Sequence, residues 1–227
     1  MLQYAKRSVK QIMGITPYKI VRRESGYHDA VAHNSLDNMD RLFGKKSFLE
    51  SYENPYRRRL HNATAALIRE VKPASEVSTI ADFGCGPAAF FHFLPDYSHA
   101  QRFGYDFANA TLEAARRIFP DAVYEQYDLY TPPPRQHDLV ICSQTIEHLT
   151  KPWKAVQHLI EATLPKGVLI ITVPDGRVDT FRGHIQFWSI ESWQSALEDN
   201  VKQRFETRFF PQKGTGTGNL AAVIWKD

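Results

Sequence analysis

Cysteine is scarce: 227 residues hold only Cys85 and Cys142, and neither stands in a paired framework spacing. A disulfide-stapled secreted domain is therefore excluded, and a reducing compartment is expected. No apolar run approaches the length of a membrane span, and the N-terminus lacks the uninterrupted apolar core of a secretion signal. The expectation is a soluble, cytoplasmic protein without a transmembrane segment. No internal repeat is visible, nor any basic groove studded with aromatics or recognisable RNA module. A net charge of +3 spread over this length does not by itself propose nucleic acid. The 43% hydrophobic content suffices for a proper core in one domain with a modest appendage.

What the chain does have is concentrated at Ile80 to Pro87, which reads Ile-Ala-Asp-Phe-Gly-Cys-Gly-Pro. An apolar strand ends in an acid, and two glycines one residue apart then make a sterically open turn beside the start of a helix. A nucleoside can approach such a turn closely, because glycine lacks the Cβ that would block it and permits positive φ. The longer GxGxxG pattern of a dinucleotide site is missing, since Ala88 stands where a third glycine belongs. Asp82 would also repel a pyrophosphate. A nicotinamide or flavin dinucleotide is thereby disfavoured.

From Ser78 onward apolar strands alternate with helical patterns, of which 109–118 and 152–164 are the clearer. That alternation predicts a parallel sheet with helices on both faces. Asp82, Asp106, Asp128 and Ser143 all fall at carboxyl ends of strands, where open α/β sheets bind their ligands. Asp106 follows Asp82 by 24 residues, near the interval of about 20 at which a βαβ unit presents its ribose-binding acid. Asp138 to Ser143 is almost wholly apolar, fit for a strand buried on both faces.

These motifs, with Gln144-Thr-Ile-Glu-His-Leu149 and Leu164-Pro-Lys-Gly167, resemble a class I S-adenosylmethionine-dependent methyltransferase of the small-molecule type, from about Ala63 to the end. The turn at 165–167 departs from the family's usual Pro-Gly-Gly. The resemblance implies a Rossmann-like α/β fold: a seven-stranded, mostly parallel sheet, helices on both faces and an antiparallel last strand. It further implies S-adenosyl-L-methionine as cofactor and S-adenosyl-L-homocysteine as product. The cofactor residues it points to are Asp82, Gly84, Cys85, Gly86, Asp106, Phe107, Asp128, Leu129, Ser143 and Gln144. Among these, the family uses an acid at the Asp106 place for the ribose hydroxyls and one at the Asp128 place for the adenine amino group.

Residues 1–53 read as an N-terminal cap and 54–227 as the methyltransferase domain. Asn54-Pro55 makes a helix start, and Leu60, Ala63, Ala66, Leu67 and Val71 carry helical spacing. The polar stretch 33–40 separates the first piece of the cap from 45–56. Residues 1–23 hold six lysines and arginines, no acid, and interleaved apolar residues. Two readings stand: a helix drawn to anionic lipid or a phosphorylated substrate, or a solvated helix packing its apolar side on the domain or a second subunit. Oligomeric state is open.

Methyl transfer needs alignment above all, and a base only where the acceptor must lose a proton. The candidate bases are His148, directly after the fourth strand, and His184, in a loop that should overhang the pocket. Phe187 and Trp188 are candidates to line an acceptor site there, or else core. Tyr52, Tyr56 and Arg57 are candidates to close over the cofactor. Some relatives hold a divalent metal with a Glu-x-x-Glu-His cluster. Gln144 replaces the first acid here, so no metal is expected. The leading expectation is methylation of oxygen or nitrogen on a small molecule such as a sugar, a sugar nucleotide or a secondary metabolite. RNA methylation and a non-catalytic scaffold of the same fold are the alternatives.

Overall fold

A computed structural model describes residues 27–52, 54–212 and 217–227. The basic segment 1–23, and with it the membrane or subunit-contact reading, lies outside the described residues, as do residues 213–216 of the glycine-rich connection near the end.

Seven strands form one sheet: β1 (Thr79–Phe83), β2 (Gln101–Asp106), β3 (Val123–Gln126), β4 (His137–Ser143), β5 (Thr163–Pro174), β6 (Phe205–Gln212) and β7 (Thr217–Trp225). Their order is β3-β2-β1-β4-β5-β7-β6. β1 pairs in parallel with both β2 and β4, so the chain reverses its direction of winding there. β7 runs antiparallel between β5 and β6, the one reversed strand in the sheet. The fold is thus the Rossmann-like, mostly parallel sheet with an antiparallel last strand.

Burial explains the apolar strand sequences. In β4, Leu139 and Ile141 face one core while Val140 and Cys142 face the other, so a strand covered on both sides reads as a continuous hydrophobic run. One core lies under α6 (Pro152–Glu161) and α7 (Ile190–Asn200), with Trp153, Trp188 and Trp193 clustered in it. The other lies under α4 (Pro55–Val71) and α5 (Asn109–Ile118), where Leu67, Ile68, Phe91 and Leu112 meet. Asn54 caps α4 by accepting the Arg57 N–H, and Pro55 fills the first turn.

Several expectations need correcting. No α-helix follows the glycine turn: 89–93 and 95–97 are short 3₁₀ turns. Pro87 and Pro95 bracket too few residues for a stable α-helix, and Ala88 adopts φ 58°. α6 stops at Glu161 rather than 164, because β5 already starts at Thr163 and carries the turn residues inside it, with Lys166 at φ 64°. The loop that carries His184, expected to span 180–193, ends at Ser189, whose hydroxyl accepts the Ser192 N–H and opens α7. The polar stretch 33–40 is partly helical. α1 (Tyr27–His33), α2 (Leu36–Phe43) and α3 (Lys46–Tyr52) follow one another, and Ser35 caps α2.

Candidate functional site

A cavity of about 950 Å³ opens at the carboxyl ends of the strands. Its floor is the turn after β1, where Gly84 and Gly86 take φ 73° and 54°. The turn is tied to β2: the Gly84 and Cys85 N–H groups both donate to the Tyr105 carbonyl, at 2.8 and 3.0 Å. Asp106 completes this link, its carboxylate accepting the N–H groups of Gly86 (3.1 Å) and Ala108 (3.0 Å). Close approach at the turn is real, because a Cβ added to Gly86 would lie 2.7 Å from the Tyr52 hydroxyl.

Of the sequence-nominated cofactor residues, Gly84, Gly86, Asp106, Phe107, Asp128, Leu129 and Gln144 line this cavity. Asp82, Cys85 and Ser143 do not. They line a neighbouring void of about 20 Å³ that shares Tyr52, Arg57 and Gly84 with the large one. Tyr52 and Arg57 stack there, with the guanidinium 3.9 Å from the ring centre. Ser143 is bonded to Thr172 at 2.7 Å, and the Cys85 thiol donates to the Gly86 carbonyl at 3.4 Å. Alternation along β1 and β4 turns Asp82 and Ser143 aside from the cavity floor. Burial pushes the Asp82 carboxyl up to about 7, with the Asp106 charge adding to it. Asp106 is pushed up to about 6 by burial, against the pull of its backbone N–H partners.

The roof comes from the short helices between residues 27 and 52. Met39, Leu42 and Phe43 from α2, with Phe48 and Tyr52 from α3, make it mainly apolar. Asn34 fastens this roof to the loops that carry His148 and His184, donating to the Gly183 carbonyl at 2.7 Å and the His148 carbonyl at 3.1 Å. Asp40 accepts the Ala110 N–H at the start of α5 (2.9 Å), where a carboxylate also suits the helix dipole.

The two candidate histidines come together. Their rings lie 4.6 Å apart, and both face the cavity with Glu147 and Asp179. His184 Nδ1 meets the Asp179 carboxylate, and its Nε2 lies 3.8 Å from Glu147 Oε1. His148 Nδ1 donates to the Gly183 carbonyl at 3.0 Å. Glu147 is fully buried, and neither of its carboxylate oxygens has a hydrogen-bond partner among the described residues. Burial pushes its carboxyl up to about 7, which His184 opposes. Burial, then the neighbouring His184, holds His148 down to about 3. Glu147 and Asp179 were absent from the sequence candidates. Glu147 adjoins His148, but Asp179 is found only once the loop folds back. Trp188 belongs to the core with Trp153 and Trp193, and neither it nor Phe187 lines the cavity.

A family model described as a methyltransferase domain matches residues 56–200. The trans-aconitate 2-methyltransferase of Escherichia coli strain 536 is 30% identical over 105 residues, 45% of this chain and 42% of that protein. Its Shigella dysenteriae counterpart is 30% identical over 133 residues, 58% of this chain and 52% of that one. The chain thus spans about half the length of these curated relatives. The N-methyltransferase NodS of Bradyrhizobium japonicum, solved with S-adenosyl-L-homocysteine, superposes with a TM-score of 0.64 at 18% identity, covering 85% of this chain and 98% of that one. Among the described residues no helix is long and apolar enough to cross a membrane.

Proposed function

Since this chain belongs to the methyltransferase-domain family, we propose that it transfers a methyl group from S-adenosyl-L-methionine to an oxygen or nitrogen of a small molecule. The observation that carries the reading is the roofed cavity over two positive-φ glycines, with Asp106 and Asp128 on its wall. These residues fit the cofactor chemically. Gly84 and Gly86 leave room for a nucleoside against the backbone, and Asp106 and Asp128 offer acceptors for hydroxyl and amino donors. Asp82 is buried in the neighbouring void with Tyr52 and Arg57 and does not touch the cavity.

When bound, the cofactor supplies an electrophilic methyl carbon on a sulfonium. The chain's own part is to place the acceptor and keep water away. The apolar roof of α2 and α3 excludes water, and alignment of two bound partners supplies much of the acceleration. A cavity near 950 Å³ lies at the upper end of small-molecule pockets, room for a nucleoside and a modest acceptor together. A carboxylate acceptor needs no base, whereas a hydroxyl or a protonated amine must shed a proton. His148, held down to about 3, is a weak proton acceptor, and the His184 Nε2 faces Glu147. We therefore read both histidines as groups that hold the acceptor's surroundings in place.

The test is turnover of methyl-labelled S-adenosyl-L-methionine against a panel of polycarboxylates, amines, sugar nucleotides and phenols. Label transfer to one class, dependent on Asp106, supports the reading. Folded protein that binds the cofactor and labels neither a panel member nor RNA favours the scaffold alternative, and labelled RNA favours the nucleic-acid one.

A further inference from the structure

We propose that Phe181 is the acceptor-binding residue of the cavity, and that the acceptor carries a planar aromatic ring seated against the open face of Phe181. The proposal rests on the methyl-transfer reading and names the substrate class of that same site.

Phe181 is 50% exposed, yet it lines the cavity and is held there by several contacts. Its N–H donates to the Asp179 carboxylate at 2.9 Å, and its carbonyl accepts the His184 N–H at 3.1 Å. Three imidazoles gather around the ring. His33, His148 and His184 lie 5.5, 6.2 and 4.8 Å from it, centre to centre, all tilted or edge-on, which are the geometries that aromatic rings prefer. Gly183 makes this gathering possible. A Cβ there would collide with the His33 ring and stand 2.7 Å from Phe181 Cε1, so a larger residue would force the two rings apart. Single apolar side chains on a surface need no explanation. A half-open ring fixed by two backbone bonds, three imidazoles and a glycine, and facing a cavity, does.

The rings around Phe181 also carry little charge. Burial, followed by Arg182 and His184, lowers His33, and burial followed by His184 holds His148 down to about 3, so both are neutral imidazoles at pH 7. Val31 and Ile185 add apolar surface to the same cavity. A sugar would bring hydroxyls against a phenyl face that offers them no hydrogen bond, at a cost for each one desolvated. An aromatic ring loses nothing there and gains ring contact beyond simple burial.

The experiment measures binding of two matched pairs of compounds to the full chain loaded with S-adenosyl-L-homocysteine, by ligand-observed NMR: benzoate against cyclohexanecarboxylate, and phenol against cyclohexanol. Each pair keeps the functional group and removes the π-system. At least one aromatic member should bind about two- to tenfold more tightly than its saturated partner, the range that ring pairing supplies. Phe181→Leu should erase that preference while keeping an apolar wall, and Phe181→Tyr should retain it. S-adenosyl-L-homocysteine binding should be unchanged in both variants, which shows that they fold. The same pairs are measured on the free chain, so that loss of cofactor binding, which would count against the cofactor reading, is told apart from failure of this assignment. Equal affinity within both pairs, a preference that survives Phe181→Leu, or no binding of any of the four compounds would overturn it.

Discussion

The Asp106 carboxylate accepts the Gly86 N–H at 3.1 Å, so the acid that ends β2 holds the glycine turn that follows β1. One bond thereby joins the two neighbouring strand ends at which a nucleoside would rest. With Tyr52 standing 2.7 Å from where a Gly86 side chain would begin, the turn is fixed from below and bounded from above.

Gly86→Ala is expected to lower stability by about 1–3 kcal/mol, because φ 54° strains an L-residue and the new methyl meets the Tyr52 hydroxyl. Adding Tyr52→Phe should recover only the steric part of this loss. Urea denaturation of the single and double variants measures both. No change in the Gly86→Ala midpoint would contradict the account of this turn.

Acid should destabilise the fold through buried histidines. His137, fully buried at the start of β4, is held down to about 4 by burial, against 6.5 in the unfolded chain. Between those values the unfolded chain binds a proton that the folded one refuses. Its contribution is therefore intact above about pH 6.5 and is lost as pH falls toward 4, to a total of about 3 kcal/mol. His61, held down to about 3, acts in the same direction. The difference in stability between wild type and His137→Gln, followed from pH 7 to 4, should shrink as pH falls. A constant difference would count against this burial effect.

Asn34→Ala removes the donor shared by the Gly183 and His148 carbonyls. The expected cost is about 1–3 kcal/mol, because the His148 carbonyl loses this donor while the Gly183 carbonyl keeps only the His148 Nδ1–H. The roof should also loosen over the cavity, raising KM for the acceptor more than it changes affinity for S-adenosyl-L-homocysteine. Equal effects on both ligands would show that Asn34 does not act through the roof.

Much of this was legible in the residues. The buried strands announced themselves as apolar runs, since β4 and β5 are covered on both faces, and the glycine turn was legible because a Cβ at Gly84 or Gly86 would collide with Thr145 or Tyr52. The side on which strand-end groups point was not. Asp82 and Ser143 sit at the expected strand ends, yet their own alternation turns them into a neighbouring void. The roof was hidden for another reason: α1 to α3 are short, polar on the outside and set by packing on α5 and the loops. His148 stands beside Glu147 in sequence, but the cluster in space also gathers His184 and Asp179 from beyond β5, and no local spacing reports such a return.

The central claim is that the cavity seats S-adenosyl-L-methionine on the Asp106-held turn. Isothermal titration of S-adenosyl-L-homocysteine into the wild-type chain and Asp106→Asn, with circular dichroism as the check on folding, tests it most directly. The account expects one molecule bound per chain, and at least a tenfold loss in the variant. A folded wild-type protein that binds neither S-adenosyl-L-homocysteine nor S-adenosyl-L-methionine would contradict it.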